Sequence, residues 1–233
     1  MRQLPLPVQL RPSSVFDSFY RGPNNAVIEQ LLTLSPGSGP PAAWLYGPHG
    51  VGKTHLLQAA CARASELKLS AAYFSLGDGV LPPDALAGCE SLNFVCLDDF
   101  ERITGQDAWE RAVFRLYTDL DESGGRLLVT AAAAPVNAGI VLKDLASRLA
   151  AGAVLRIQPL SDEEQIAALT LRAARLGMEL TTDAAQFLVQ RLPRDMTTLC
   201  AALDNLDRAS LASQRRLTVP FVRSVLEELA AAR

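Results

Sequence analysis

The sequence predicts an α/β nucleotide-binding fold, a parallel β-sheet with helices on both faces, followed by an all-helical subdomain. Three observations predict it. Short apolar runs of strand length alternate with helical stripes from residue 16 to about residue 158, as expected of a chain that crosses over after each strand and returns parallel to it. A glycine-rich loop, Gly47-Pro48-His49-Gly50-Val51-Gly52-Lys53-Thr54, joins the first of these runs to a helix and has the G-x-x-x-x-G-K-[ST] form of a phosphate loop. From Pro159 onward only helical periodicity remains.

Taken in chain order, residues 1–15 carry Pro5, Pro7 and Pro12 with little periodicity and read as an extended arm. A helix over 24–34 follows, then a Ser-, Pro- and Gly-rich connection over 35–41. Ala42-Ala43-Trp44-Leu45-Tyr46 is short, continuous and apolar, the signature of a parallel strand buried on both faces. After the loop, Leu56, Leu57, Ala60, Cys61, Ala64 and Leu67 recur at three- and four-residue intervals, with His55, Gln58, Arg63 and Glu66 opposite, which predicts an amphipathic helix. Further strands are expected over 71–75, 93–97, 127–131 and 153–157, with a helix over 107–122. In the tail, Ser161 and Glu164 form a capping box, and Ile166, Leu169, Ala173 and Leu176 give a stripe that stops at Gly177. Helices over 182–191 and 195–213 come next, and Thr218 opens a last one bearing Phe221, Val222, Val225, Leu226 and Leu229. The expected organisation is therefore an arm at 1–15, an α/β base at 16–158 and a helical lid at 159–233.

Bulk properties narrow the function. At 233 residues, 49% hydrophobic and 20% charged, the chain has ample means to build a core. A net charge of −3 and a pI near 5.5 give no general electrostatic attraction to DNA or anionic lipid, so contact with nucleic acid must be local or indirect. Cys61, Cys89, Cys96 and Cys200 form no C-x-x-C pair, and three lie in apolar stretches, which fits buried thiols in a reducing compartment. No run of about 18 apolar residues occurs, so no membrane span is expected and a cytoplasmic location is.

The chemistry concentrates at two strand ends. Glycines at 47, 50 and 52 free the backbone to turn successive N–H groups inward around phosphate oxygens beside a helix N-terminus. Lys53 is placed to reach the β- and γ-phosphates and Thr54 to ligate Mg²⁺, so the ligand expected is a nucleoside di- or triphosphate. Asn93-Phe94-Val95-Cys96-Leu97 runs into Asp98-Asp99, where Asp98 is the metal-side carboxylate. Asp99 stands where hydrolytic enzymes usually place Glu, and it is one methylene shorter, so binding is better supported than turnover.

Together these segments resemble the DnaA/Hda family of AAA+ ATPases, the bacterial replication initiator and its shortened relative. The matching residues are Phe16-Asp17-Ser18-Phe19, Gly22-Pro23-Asn24-Asn25, the phosphate loop extended into His55-Leu56-Leu57, Asp98-Asp99, Asp144-Leu145-Ala146-Ser147-Arg148-Leu149 and Arg194-Asp195-Met196. The resemblance implies an AAA+ base with a lid, with Phe19 and Asn24 near the base or ribose and Arg194 as the lid arginine that touches the nucleotide. It makes Arg148 the arginine finger that completes a neighbouring molecule's site. Two departures stand out: Ala131-Ala132-Ala133-Ala134 replaces polar residues that include a sensor Asp, and Lys143 replaces a Pro common before the finger segment.

Gln3-Leu4-Pro5-Leu6-Pro7 resembles the peptide with which Hda-type members hold the sliding clamp of DNA polymerase III, its beta subunit. The sequence ends soon after the lid, with nothing that reads as an origin-binding helix-turn-helix. The resemblance thus implies a negative regulator of replication initiation, bound to ADP (or ATP) and Mg²⁺, that meets DNA only through the clamp. It would stimulate ATP hydrolysis by DnaA in trans and leave the inactive ADP form, with intrinsic hydrolysis weak or absent. A DnaA-like or helicase-loader ATPase, an autonomous ATPase and a purely structural adaptor are the alternatives, and a homodimer is possible.

Overall fold

The computed structural model describes residues 14–77, 79, 81–213 and 217–231. The expected arm, with Gln3, Leu4, Pro5, Leu6 and Pro7, lies outside the described residues. Within them the chain divides into two compact units. One runs up to Phe16 and takes in Asn24–Pro48 and Lys53–Ile157; the other gathers Asp17–Pro23, His49–Gly52 and the segment from Gln158 onward.

The first unit is built on five parallel strands: β1 (Ala42–Tyr46), β2 (Ala71–Ser75), β3 (Phe94–Asp98), β4 (Arg126–Ala131) and β5 (Ala153–Arg156), in the order β2-β3-β4-β1-β5. Its helices are α1 (Asn25–Thr33), α2 (Lys53–Glu66), α3 (Asp107–Ser123) and α4 (Lys143–Ala151). The three central strands are buried along nearly their whole length, which explains why they read as unbroken apolar runs and not as alternations.

Alternate strand residues face opposite layers. Trp44, Val95, Leu97, Leu127 and Val129 pack with Val113, Leu116 and Leu120 of α3 and with Leu145 and Leu149 of α4. Cys96 points the other way and accepts a thiol hydrogen bond from Cys61 of α2 at 3.2 Å. Helices therefore cover both faces, as the sequence predicts. Burial and this contact push the Cys96 thiol well above its ordinary value, the Cys61 contact being the larger cause. The four cysteines are free, three of them buried.

Trp44 is the hinge of this core. Its ring meets Phe100 edge-on at 5.1 Å and 64°, a geometry worth about 0.5–1.5 kcal/mol beyond the area it buries. Its indole N–H donates to the Ala133 carbonyl at 2.9 Å, so the one polar atom of a wholly buried side chain is satisfied.

The second unit holds four helices, α5 (Asp162–Arg175), α6 (Thr182–Arg191), α7 (Met196–Ser213) and α8 (Val219–Ala231). Ser161 accepts from the Glu164 amide while the Glu164 carboxylate accepts from the Ser161 amide, the predicted capping box. Gly177 takes φ +74° beyond the helix end, which ends the stripe where the sequence places its stop. Leu169, Ala185, Leu188, Leu199, Leu203 and Val222 form the core of this bundle.

Gly152, between α4 and β5, tests the tightness of the first unit. A Cβ there would lie 2.5 Å from the Ala42 carbonyl oxygen, a backbone atom that cannot swing aside. Gly152→Ala is expected to lower the unfolding free energy by about 1–3 kcal/mol, read from the urea midpoint at unchanged slope.

Candidate functional site

Parallel order places the carboxyl ends of β1, β4 and β3 side by side, the edge at which open α/β sheets bind ligands. The phosphate loop leaves the end of β1, and its first amide, of Gly47, donates to Ala131 at the end of β4 at 3.3 Å. Lys53, the first residue of α2, is buried; its Nζ donates to the Gly47 and Pro48 carbonyls at 2.9 and 3.0 Å. Burial lowers its pKa, and Glu101, Asp99 and Asp98 oppose the shift. Lys53, Asp98 and Asp99 are thus brought together. Thr54 stands exposed beside Lys53, and His55 Nε2 lies 3.0 Å from the Val15 carbonyl.

Asp98 is almost fully buried, so its carboxylate needs donors. It has two. Tyr73 of β2 donates to Oδ2 at 2.7 Å, and Thr130 of β4 donates to Oδ1. Each oxygen keeps a second lone pair, so the group still fits a role in ordering the water shell of a magnesium ion beside Thr54. Burial, then the Asp98 charge, push the Tyr73 phenol far up, so it stays a donor.

Asp99 has a different setting. Its backbone is left-handed at φ 60°, its amide donates to Thr130 Oγ1 at 3.0 Å, and its side chain caps no helix. It is half-buried, and its carboxyl is raised above the ordinary value by burial first, then by Asp98 and Glu101.

In the second unit the loop tip is held from two sides. Gly50 and Gly52 take φ +75° and +97°. A Cβ on Gly50 would lie 2.7 Å from Asp195 Cβ, and one on Gly52 would lie 2.6 Å from the Phe19 ring. Only glycine fits either place. The Gly50 carbonyl accepts from Met196 N at 3.1 Å, and Asp195 caps α7 by accepting from Thr198 N at 2.8 Å. Arg194 pairs with Asp162 at 3.1 Å, both side chains largely in solvent. His49 is exposed and Val51 half-buried. Asn24 is buried ahead of α1 without capping it through its side chain.

Arg148 sits on α4, exposed, with its guanidinium over two rings of α3: 5.3 Å from the centre of Phe114 and 5.5 Å from that of Tyr117.

Residues 162–226 match the family model described as Hda, lid domain. Among solved structures, domain III of the replication initiation protein DnaA from Thermotoga maritima superposes with a TM-score of 0.77 at 20% identity, covering 95% of this chain and 98% of that one. The chain has the fold of DnaA domain III, with an Hda-like lid. AMPPCP-bound DnaA from Aquifex aeolicus matches this DnaA/Hda-like fold with a TM-score of 0.69 at 19% identity over 84% of this chain and 66% of that one. The Thermotoga maritima RuvB Holliday junction branch migration motor gives 0.62 at 18% over 88% and 69%. Among the described residues, no helix is long and apolar enough to cross a membrane.

Sequence reasoning did not single out Thr130 and Tyr73 beside Asp98 in the first unit, nor Asp195 beside Gly50 in the second. The signal for Thr130 is positional: pairing of Leu97 with Val129 puts it level with Asp98.

The Asp99 environment predicts a pH effect. A carboxyl whose folded pKa is raised weakens the fold as pH rises from the unfolded value, about 3.9, through the folded one. Asn tolerates the left-handed backbone. Asp99→Asn is therefore expected to be more stable than wild type at pH 7, with the advantage vanishing toward pH 4 in urea titrations at both pH values.

Proposed function

We propose that this chain is an adenine-nucleotide-binding regulator of replication initiation that triggers ATP hydrolysis on DnaA and docks on the sliding clamp through its arm. What carries the reading is the coincidence of an Hda-type lid over 162–226 with an exposed arginine, Arg148, on the base helix where the family resemblance places the trans-acting finger.

In this reading the amides of the 47–54 loop cradle the phosphates, Lys53 neutralises them, and Phe19, Asn24, His55 and Arg194 complete the nucleotide site. Thr54 and Asp98 hold Mg²⁺, which, when bound, screens phosphate charge. Self-hydrolysis is poorly served. Asp99 is one methylene shorter than the usual Glu, and the Ala131–Ala134 run offers only backbone, one carbonyl of which the Trp44 indole occupies. The nucleotide, ADP (or ATP), is then held but not consumed.

Arg148 does the work in a partner's site. A guanidinium aimed at the γ-phosphate of ATP on DnaA neutralises charge that grows in the transition state, worth roughly a thousandfold or more in rate. Gln3, Leu4, Pro5, Leu6 and Pro7 dock on the beta clamp, the two leucines in apolar pockets and the prolines limiting the freedom lost. DNA is met only through that clamp.

Three outcomes test this, with DnaA–ATP and clamp loaded on DNA. Arg148→Ala is expected to abolish stimulated hydrolysis while calorimetry shows unchanged ADP affinity; normal stimulation by the variant would overturn the finger role. Gln3→Ala with Leu6→Ala is expected to abolish clamp capture in gel filtration, and Lys53→Ala to weaken ADP at least tenfold.

A further inference from the structure

One stripe of α3 grips the helix that carries Arg148 at both ends. Glu110, Phe114 and Tyr117 stand at i, i+4 and i+7 on α3, the spacing that stacks side chains on one face. Glu110 is buried, and its carboxylate accepts from Gly105 N at 2.7 Å, Val141 N at 3.0 Å and Leu142 N at 2.7 Å. Leu142 is the residue that caps α4, and it has no side-chain capping bond of its own. The carboxylate from α3 supplies what the local sequence lacks. At the other end of α4, the Phe114 and Tyr117 rings flank the Arg148 guanidinium.

We propose that Glu110, Phe114 and Tyr117 are positioning residues that preset the direction of Arg148 toward a neighbouring molecule's phosphate. The inference rests on the trans-acting reading of Arg148. An exposed arginine has rotamer freedom that must be given up when it meets its target. Ring faces attract a guanidinium weakly at an exposed site. That is enough to bias the side chain several-fold toward one direction and too little to trap it. A finger directed in advance loses less on reaching the transition state, so the benefit falls on the rate of the bound complex and not on its formation.

The test is stimulated hydrolysis of ATP on DnaA, at clamp-loaded DNA, across a titration of this protein. Phe114→Leu with Tyr117→Leu keeps apolar volume and removes both rings. It is expected to lower the maximal stimulated rate about three- to tenfold, with the half-saturating concentration and ADP affinity within about twofold of wild type. Tyr117→Phe with Phe114→Tyr restores both rings and is expected to restore the rate. Glu110→Gln keeps shape but trades an acceptor oxygen for a donor, and it is expected to show the same selective loss should the double variant prove unfolded. Independently of DnaA, the Arg148 Nε–H order parameter from NMR is expected to fall in the double variant. A wild-type or faster maximal rate in the ring-free variant, with Arg148→Ala inactive, overturns the positioning role and leaves the finger intact. Normal stimulation by Arg148→Ala overturns instead the reading beneath it.

Discussion

A carboxylate buried at the end of a strand has to be met by donors, and in this protein that requirement organises the whole upper edge of the sheet. Asp98 takes one hydroxyl from β2, through Tyr73, and one from β4, through Thr130. The same Thr130 oxygen accepts the Asp99 amide, so one side chain fixes both acidic residues. Trp44 extends the arrangement to β1 by touching Phe100, directly after the acidic pair, and bonding to Ala133, directly after β4. The start of the phosphate loop and the acidic strand end are thereby set by packing and hydrogen bonds internal to the base. Losing any one donor leaves a buried polar group unpaired, which costs about 1–3 kcal/mol.

Electrostatics at this edge couple one buried cation to a group of carboxylates. Lys53 has its pKa lowered by burial and sits among three carboxylates that push the other way. An incoming phosphate adds negative charge beside Lys53 and strengthens its hold on the proton. Asp99 shifts in the same direction, since further negative charge raises its carboxyl as well.

The chain's periodicity made most of this legible. The three central strands are readable because burial on both faces writes a continuous apolar run, and α5 is readable because Ser161, Glu164 and Gly177 act within one turn of its ends. The phosphate loop was legible because its glycines are demanded locally: positive φ at Gly50 and Gly52, and neighbours within 3 Å of any Cβ. What escaped depends on residues distant in sequence. α4 carries no capping side chain because Glu110, some thirty residues earlier, supplies the acceptor. Thr130 and Tyr73 look like ordinary strand residues until the register sets them beside Asp98, and Asp195 looks like a plain helix cap until Gly50 is seen against it. The short 3-10 turns, such as Phe100–Arg102, have no periodic signature at all.

Within the second unit, backbone and side chain of Arg194 are treated differently, and the difference matters. Its carbonyl accepts from the Gln165 amide at 3.4 Å, and the next two residues are anchored: Asp195 caps α7, and Met196 bonds the Gly50 carbonyl. Among the described residues, its guanidinium pairs with Asp162 at 3.1 Å, between two largely exposed side chains. Such pairs are worth at most about 1 kcal/mol, whereas a bidentate guanidinium–phosphate contact in a less solvated place is charge-assisted and markedly stronger. The main chain is therefore held in register with the loop tip while the charge stays exchangeable. An arginine arranged this way is able to exchange its surface partner without moving its own backbone, because the contacts that fix the main chain and the one that holds the charge are separate.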